Sequence, residues 1–259
     1  MRALAVLALL LAAGCATSHP AHRDARFVIL ASGDFTPQDV QRVRDQLEAG
    51  TRALEKYLGP APATKFPVVV NLRSGRGVSH SGHGRGPIEL YWVKDMRSPI
   101  VHELTHVLAG YTASNGHWTQ EGFASYMQDR YGEDRAFPTR RMAHALVKVI
   151  VEEKSLLPMR DVMRDRDRRT YFGLRAPWER WLAYTQSTSL CFHLIERYGA
   201  ERFLKAYDVP FELIDFNGLY GKSADALVDE WLGEVGTVRG DTERARAVFS
   251  EMKATLGGR

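Results

Sequence analysis

The sequence predicts an α+β fold: a small mixed β-sheet lobe packed on a central helix, followed by a mostly helical lobe. Three observations carry this. Short β-branched and aromatic runs at 27–30, 67–72 and 87–92 all lie ahead of residue 93. Helix-period apolar patterns, with no further strand-like run, fill the chain after Gly132. The 259 residues are 44% hydrophobic and contain 2 Cys, so the fold rests on an apolar core and not on a disulfide framework.

The chain opens with Arg2 and an apolar run, 3–13, of signal-peptide length and too short to span a bilayer. Leu11-Ala12-Ala13-Gly14-Cys15 resembles a bacterial lipobox. That resemblance implies removal of residues 1–14, lipidation of Cys15 and a membrane anchor of several acyl chains. With Ala16 in place of an Asp, it implies the outer membrane, facing the periplasm. An ordinary secretory signal with an incidental Cys is the alternative. Residues 15–24 are polar and read as a tether.

A catalytic lobe is expected over 25–135 and a helical lobe completing its cleft over 136–259. Residues 27–30 read as a strand, and Thr36-Pro37 starts a helix to about residue 57 with Val40, Val43, Leu47 and Leu54 on one face. A second strand occupies 67–72. The Gly-rich stretch 74–86 reads as a loop over the cleft or the turn of a long hairpin, with His80 and His83 as opportunistic metal ligands. It lacks the Gly-Lys-Ser/Thr ending of a phosphate loop. A third strand follows at 87–92, and the later helices are expected at 139–154, 178–198, 200–207, 223–235 and 242–256. The mixed-charge run 164–169 reads as solvated surface, and Cys191 as a small packed hydrophobe. A formal charge of +4 is too small to indicate a nucleic-acid partner.

The segment His102-Glu103-Leu104-Thr105-His106 carries the chemistry. Residues at i and i+4 share a helical face, so two imidazoles can close on one metal ion. Glu103 is placed to act on a water at that metal without being a ligand. Ser98 reads as the N-cap, Pro99 as the first helical residue and Gly110 as the stop. Ile100, Leu104 and Leu108 form the core-facing stripe, roughly 200° from the two histidines. Thr119 is expected to cap a second helix running to about residue 130, with Glu121 in its first turn and Phe123 and Met127 on its buried side. Gly122 permits close helix approach. Glu121 is the favoured third ligand, and His117, just before the same helix, competes with it. Ala109 and Thr112 depart from the metzincin pattern.

His102-Glu103-x-x-His106 with Trp118-x-x-Glu121-Gly122-x-Ala124-x-Tyr126 resembles the gluzincin metallopeptidases, particularly their minimal members. The resemblance covers about 87–199 and implies a thermolysin-like catalytic core with Zn²⁺ held by His102, His106 and Glu121. It further implies Glu103 as general base, and Tyr184, early in a long helix, as donor to the oxyanion. It makes 87–92 the edge strand that would pair with a peptide or protein substrate. Ser125 stands where thermolysin-like members carry an acidic residue, and Asp129, two turns past Glu121, reads as part of a solvated face, with orientation of a His as the alternative. The expected function is thus a zinc-dependent peptidase of the bacterial cell envelope. A non-catalytic zinc-containing binding or assembly lipoprotein is the alternative.

Overall fold

The three β-rich runs meet in one sheet. The computed structural model describes residues 20–32, 34–82, 86–110, 116–165, 170–173 and 175–258. Residues 1–14, Cys15 and the run 166–169 lie outside these, as does His83. The strands are β1 (Pro20–Arg23), β2 (Phe27–Ser32), β3 (Val68–Arg73), β4 (His80–Ser81) and β5 (Ile88–Leu90), in the spatial order β1-β2-β3-β5-β4. β2, β3 and β5 are parallel, while β1 and β4 close the two edges antiparallel. Val68, Val70 and Leu72 of β3 alternate inward at the two-residue period of a strand.

A parallel pair needs a crossover. Between β2 and β3 it is α1 (Pro37–Leu58), opened by a capping box in which Thr36 and Asp39 satisfy each other's backbone N–H groups. Val43, Leu47 and Leu54 of α1 are buried. At Gly50 a Cβ would lie 3.1 Å from Leu104 and 3.3 Å from Val101, so the missing side chain lets α1 close on α2 (Ile100–Ala109). α2 also packs against β4 and β5.

Several expectations are corrected. Part of the expected tether, Pro20–Arg23, is paired as β1. The run at 87–92 is not the sheet edge: β5 is paired with β3 on one side and β4 on the other. The Gly-rich stretch turns back through Gly82 and Gly86, where Gly82 N–H donates to Pro87 O, and so places His80–Ser81 outermost. Pro99, and not Ser98, is the N-cap of α2. α3 (His117–Tyr131) starts earlier than expected, with Gly116 at its N-cap. Thr119 therefore sits inside the first turn, its hydroxyl bonded to Gly116 O, and Glu121 falls one turn deeper than the cap reading required. α4 (Ala143–Glu152) starts four residues late because Arg140 and Arg141 take positive φ, which no α-helix accommodates.

The remaining helices are α5 (Met159–Arg164), α6 (Pro177–Tyr198), α7 (Ala200–Ala206), α8 (Phe216–Tyr220), α9 (Ala224–Thr237) and α10 (Thr242–Leu256). One apolar cluster runs from Phe27 in the sheet through α2, α3 and α6 to Val235 in α9. A second joins α4, α6 and α10 through Leu146, Ile150, Trp181 and Phe249. Cys191 is buried, as expected of a small hydrophobe. Among the described residues no helix is long and apolar enough to cross a membrane.

Candidate metal centre

α2 buries Ile100, Leu104 and Leu108 on one side and turns His102 and His106 to the other. The two rings meet edge to face at 4.6 Å between centroids, and their Nε2 atoms are 3.0 Å apart. Glu121 reaches in from α3, its Oε2 lying 3.2 Å from each Nε2. All three side chains are buried, and among the described residues they form the one His/Cys/Asp/Glu trio whose donor atoms converge in this way. Three donors around one point fit a single metal ion. His117 is outside the trio: its Nδ1 faces Gln120 Oε1 at 3.3 Å, and its ring packs on Phe172.

The face of α3 that supplies Glu121 does more. Glu121, Ser125 and Gln128 repeat at i, i+4 and i+7, so they form one stripe facing α2. Ser125 Oγ is 3.2 Å from His102 Nδ1, the ring nitrogen not aimed at Glu121. Gln128 Oε1 accepts from the N–H groups of Val101 (2.9 Å) and His102 (3.3 Å). Together with the Ile100 N–H bonded to Ser98 O, this completes the N-terminus of α2, which has no side-chain cap of its own.

Behind this stripe, α3 lies against α6. A Cβ on Gly122 would sit 2.5 Å from Cys191 Sγ and 2.8 Å from Ser187 O, so only glycine permits the approach. Asp129, expected on a solvated face, is instead buried and accepts from Arg141 N–H at 3.2 Å. Burial pushes its carboxyl up to about 7, against the opposing hydrogen bond from the Arg141 N–H.

Burial would raise Glu121 too, but the charges and hydrogen bonds of His106 and His102 outweigh it and hold the carboxylate well below its usual range. Glu103 behaves oppositely. Burial raises it to about 7, Glu121's charge adding to the rise while His102 and the O–H and N–H of Ser81 oppose it. Two carboxyls in one centre are thereby driven in opposite directions, Glu121 toward the ionised form and Glu103 toward the protonated one.

The centre opens into a cleft of about 720 Å³. One wall is Val78, Ser79, His80 and Ser81, and the other holds Phe172, Arg175, Arg180 and Tyr184. Tyr184 stacks on His102 at 6.1 Å and 23° and is flanked by Phe137 and Phe172. The structure therefore brings His102, Glu103, His106, Glu121 and Tyr184 to one place. Ser81, Gln128 and the two arginines were missed as site residues, and Ser125 was read only as a departure; for Ser125 and Gln128 the signal was the seven-residue stripe from Glu121. No protein-family model matches the chain, and comparison with curated proteins finds no match.

Proposed function

We propose that this protein is a zinc-dependent peptidase with a thermolysin-like catalytic core of the gluzincin kind, attached to the bacterial envelope through a lipid on Cys15. One observation carries the reading. His102, His106 and Glu121 offer two imidazole nitrogens and one carboxylate oxygen at mutual separations of 3.0–3.2 Å, while Glu103 lines the same cleft without joining them. Four-coordinate zinc with bonds of 2.0–2.1 Å separates its donors by about 3.3 Å, so this trio needs only small adjustment to hold it. Two His and one Glu is also a ligand set that leaves a position open for chemistry.

When bound, zinc supplies Lewis acidity to a carbonyl oxygen and to water. Glu103 receives the proton that water loses as it adds to the peptide carbonyl, and returns it to the leaving nitrogen as the C–N bond breaks. Tyr184, beside His102, donates to the oxygen that gains charge. The outer edge of β4, paired among the described residues with β5 alone, offers backbone groups to an extended peptide. Glu103→Gln is expected to bind zinc as the parent does and to lose peptide hydrolysis by several orders of magnitude. A variant that cleaves unstructured peptides at the parent's rate refutes these roles, and a zinc-loaded parent inert toward a broad peptide library supports the non-catalytic alternative.

A further inference from the structure

The cleft wall opposite β4 holds two arginines that the reaction above does not use. Arg180 is one turn before Tyr184 on α6, so both lie on the helix face that borders the cleft. Arg175 lines the same space just ahead of the helix and is exposed, whereas Arg180 is half-buried. Neither has an acidic partner among the described residues, although Arg42, Arg73, Arg140 and Arg160 all do. The two carboxylates among the lining residues, Glu103 and Glu121, are committed to Ser81 and to the histidines. With a divalent ion in place, the two lining arginines leave the cleft net positive, a field that draws and orients an anionic ligand. Phe172 and Val78 line the same space, so a charge entering it meets apolar walls as well as guanidinium groups.

We propose that the cleft selects substrates by a carboxylate close to the scissile bond, bound by Arg180 and assisted from the mouth by Arg175. A planar guanidinium matches a carboxylate with two parallel hydrogen bonds, which a lysine at the same place does not reproduce. The carboxylate belongs either to an Asp or Glu side chain or to the free C-terminus of the peptide. This inference rests on the peptidase reading and names its substrate class.

The test uses matched quenched-fluorescence peptides with Glu or Gln at each position around the cleaved bond, each made with a free and an amidated C-terminus. The zinc-loaded parent is expected to favour the carboxylate peptide by roughly 10- to 100-fold in kcat/KM, the range of one charge-assisted contact. Loss of preference on amidation alone identifies the terminal carboxylate, and persistence through amidation identifies the side chain. Arg180→Gln is expected to abolish the preference and Arg180→Glu to reverse it toward lysine-containing peptides, a reversal that a purely structural role for Arg180 would not produce. The same peptides are titrated by fluorescence anisotropy against zinc-loaded Glu103→Gln, which reads binding without turnover. Hydrolysis without preference, or preference retained in Arg180→Gln, overturns this inference and leaves the peptidase reading intact. Absence of hydrolysis with carboxylate-selective, Arg180-dependent binding overturns the peptidase reading and keeps the site; binding that changes neither between Glu and Gln nor between free and amidated C-termini overturns the site.

Discussion

Gln128 fastens the ligand helix at its start, and removing its oxygen is expected to loosen both the fold and the centre. Its Oε1 is the acceptor for the otherwise unmatched N–H groups of Val101 and His102, both on buried residues. A buried donor left unsatisfied costs about 1–3 kcal/mol, and the 3.3 Å bond to His102 is the weaker of the two, so their joint loss amounts to about 3 kcal/mol. For a chain of this size that corresponds to a fall in melting temperature of roughly 6–12 °C. Gln128→Leu is the informative change, since it keeps most of the side-chain volume and removes the carboxamide, whose oxygen is the acceptor and whose nitrogen makes no hydrogen bond among the described residues. Gln128→Glu restores an acceptor and adds a negative charge at a helix N-terminus, and it should recover part of the loss. Thermal unfolding followed by far-UV circular dichroism, with a chelator present, measures the effect apart from metal binding. A Gln128→Leu protein that melts with the parent would show that α2 is held by its apolar stripe alone, and the capping argument would fall.

Three further outcomes follow from the same packing. Ser125→Ala removes the partner of His102 Nδ1 and is expected to weaken zinc binding by roughly 10- to 100-fold, while Ser125→Asp tightens it; competition against a chromophoric chelator reads both, and equal affinities would contradict the assignment. Gly122→Ala places a methyl 2.5 Å from Cys191 Sγ and 2.8 Å from Ser187 O and is expected to cost about 1–3 kcal/mol in denaturant unfolding. Cys191→Ala in the same chain should return only part of that, because the Ser187 carbonyl stays; a full return would place the clash on sulfur alone. Asp129 is raised from 3.8 to about 7 by burial, so its contribution is present below pH about 4 and is lost as pH rises through about 7. Asp129→Asn should flatten that decline, and parallel pH curves for the two proteins would discount it.

The metal trio was legible because i,i+4 histidines are a local pattern, and Glu121 followed from its place ahead of Gly122. The helices α1, α6, α7, α9 and α10 were likewise close to their expected bounds, each marked by a cap, a proline or a glycine. What escaped was non-local. The edge position of β4 rests on its antiparallel pairing with β5, and two residues carry no strand period of their own. The capping of α2 by Gln128 joins residues 26 and 27 positions apart, so Ser98, a good local cap, misled. Asp129 looked solvated because its stretch of α3 is polar, yet nearly the whole helix is enclosed between α2 and α6. α3 has too little amphipathic contrast for its faces to be told apart by hydrophobicity.

α6 belongs to both apolar clusters, giving Cys191 and Leu194 to one and Trp178 and Trp181 to the other. A ribosome delivers the histidines and Glu121 well before it delivers this helix. α6 is what closes on Gly122, with Ser187 O and Cys191 Sγ at the point of approach. The fold that carries the trio is therefore completed only by residues far downstream of the motif that supplies it.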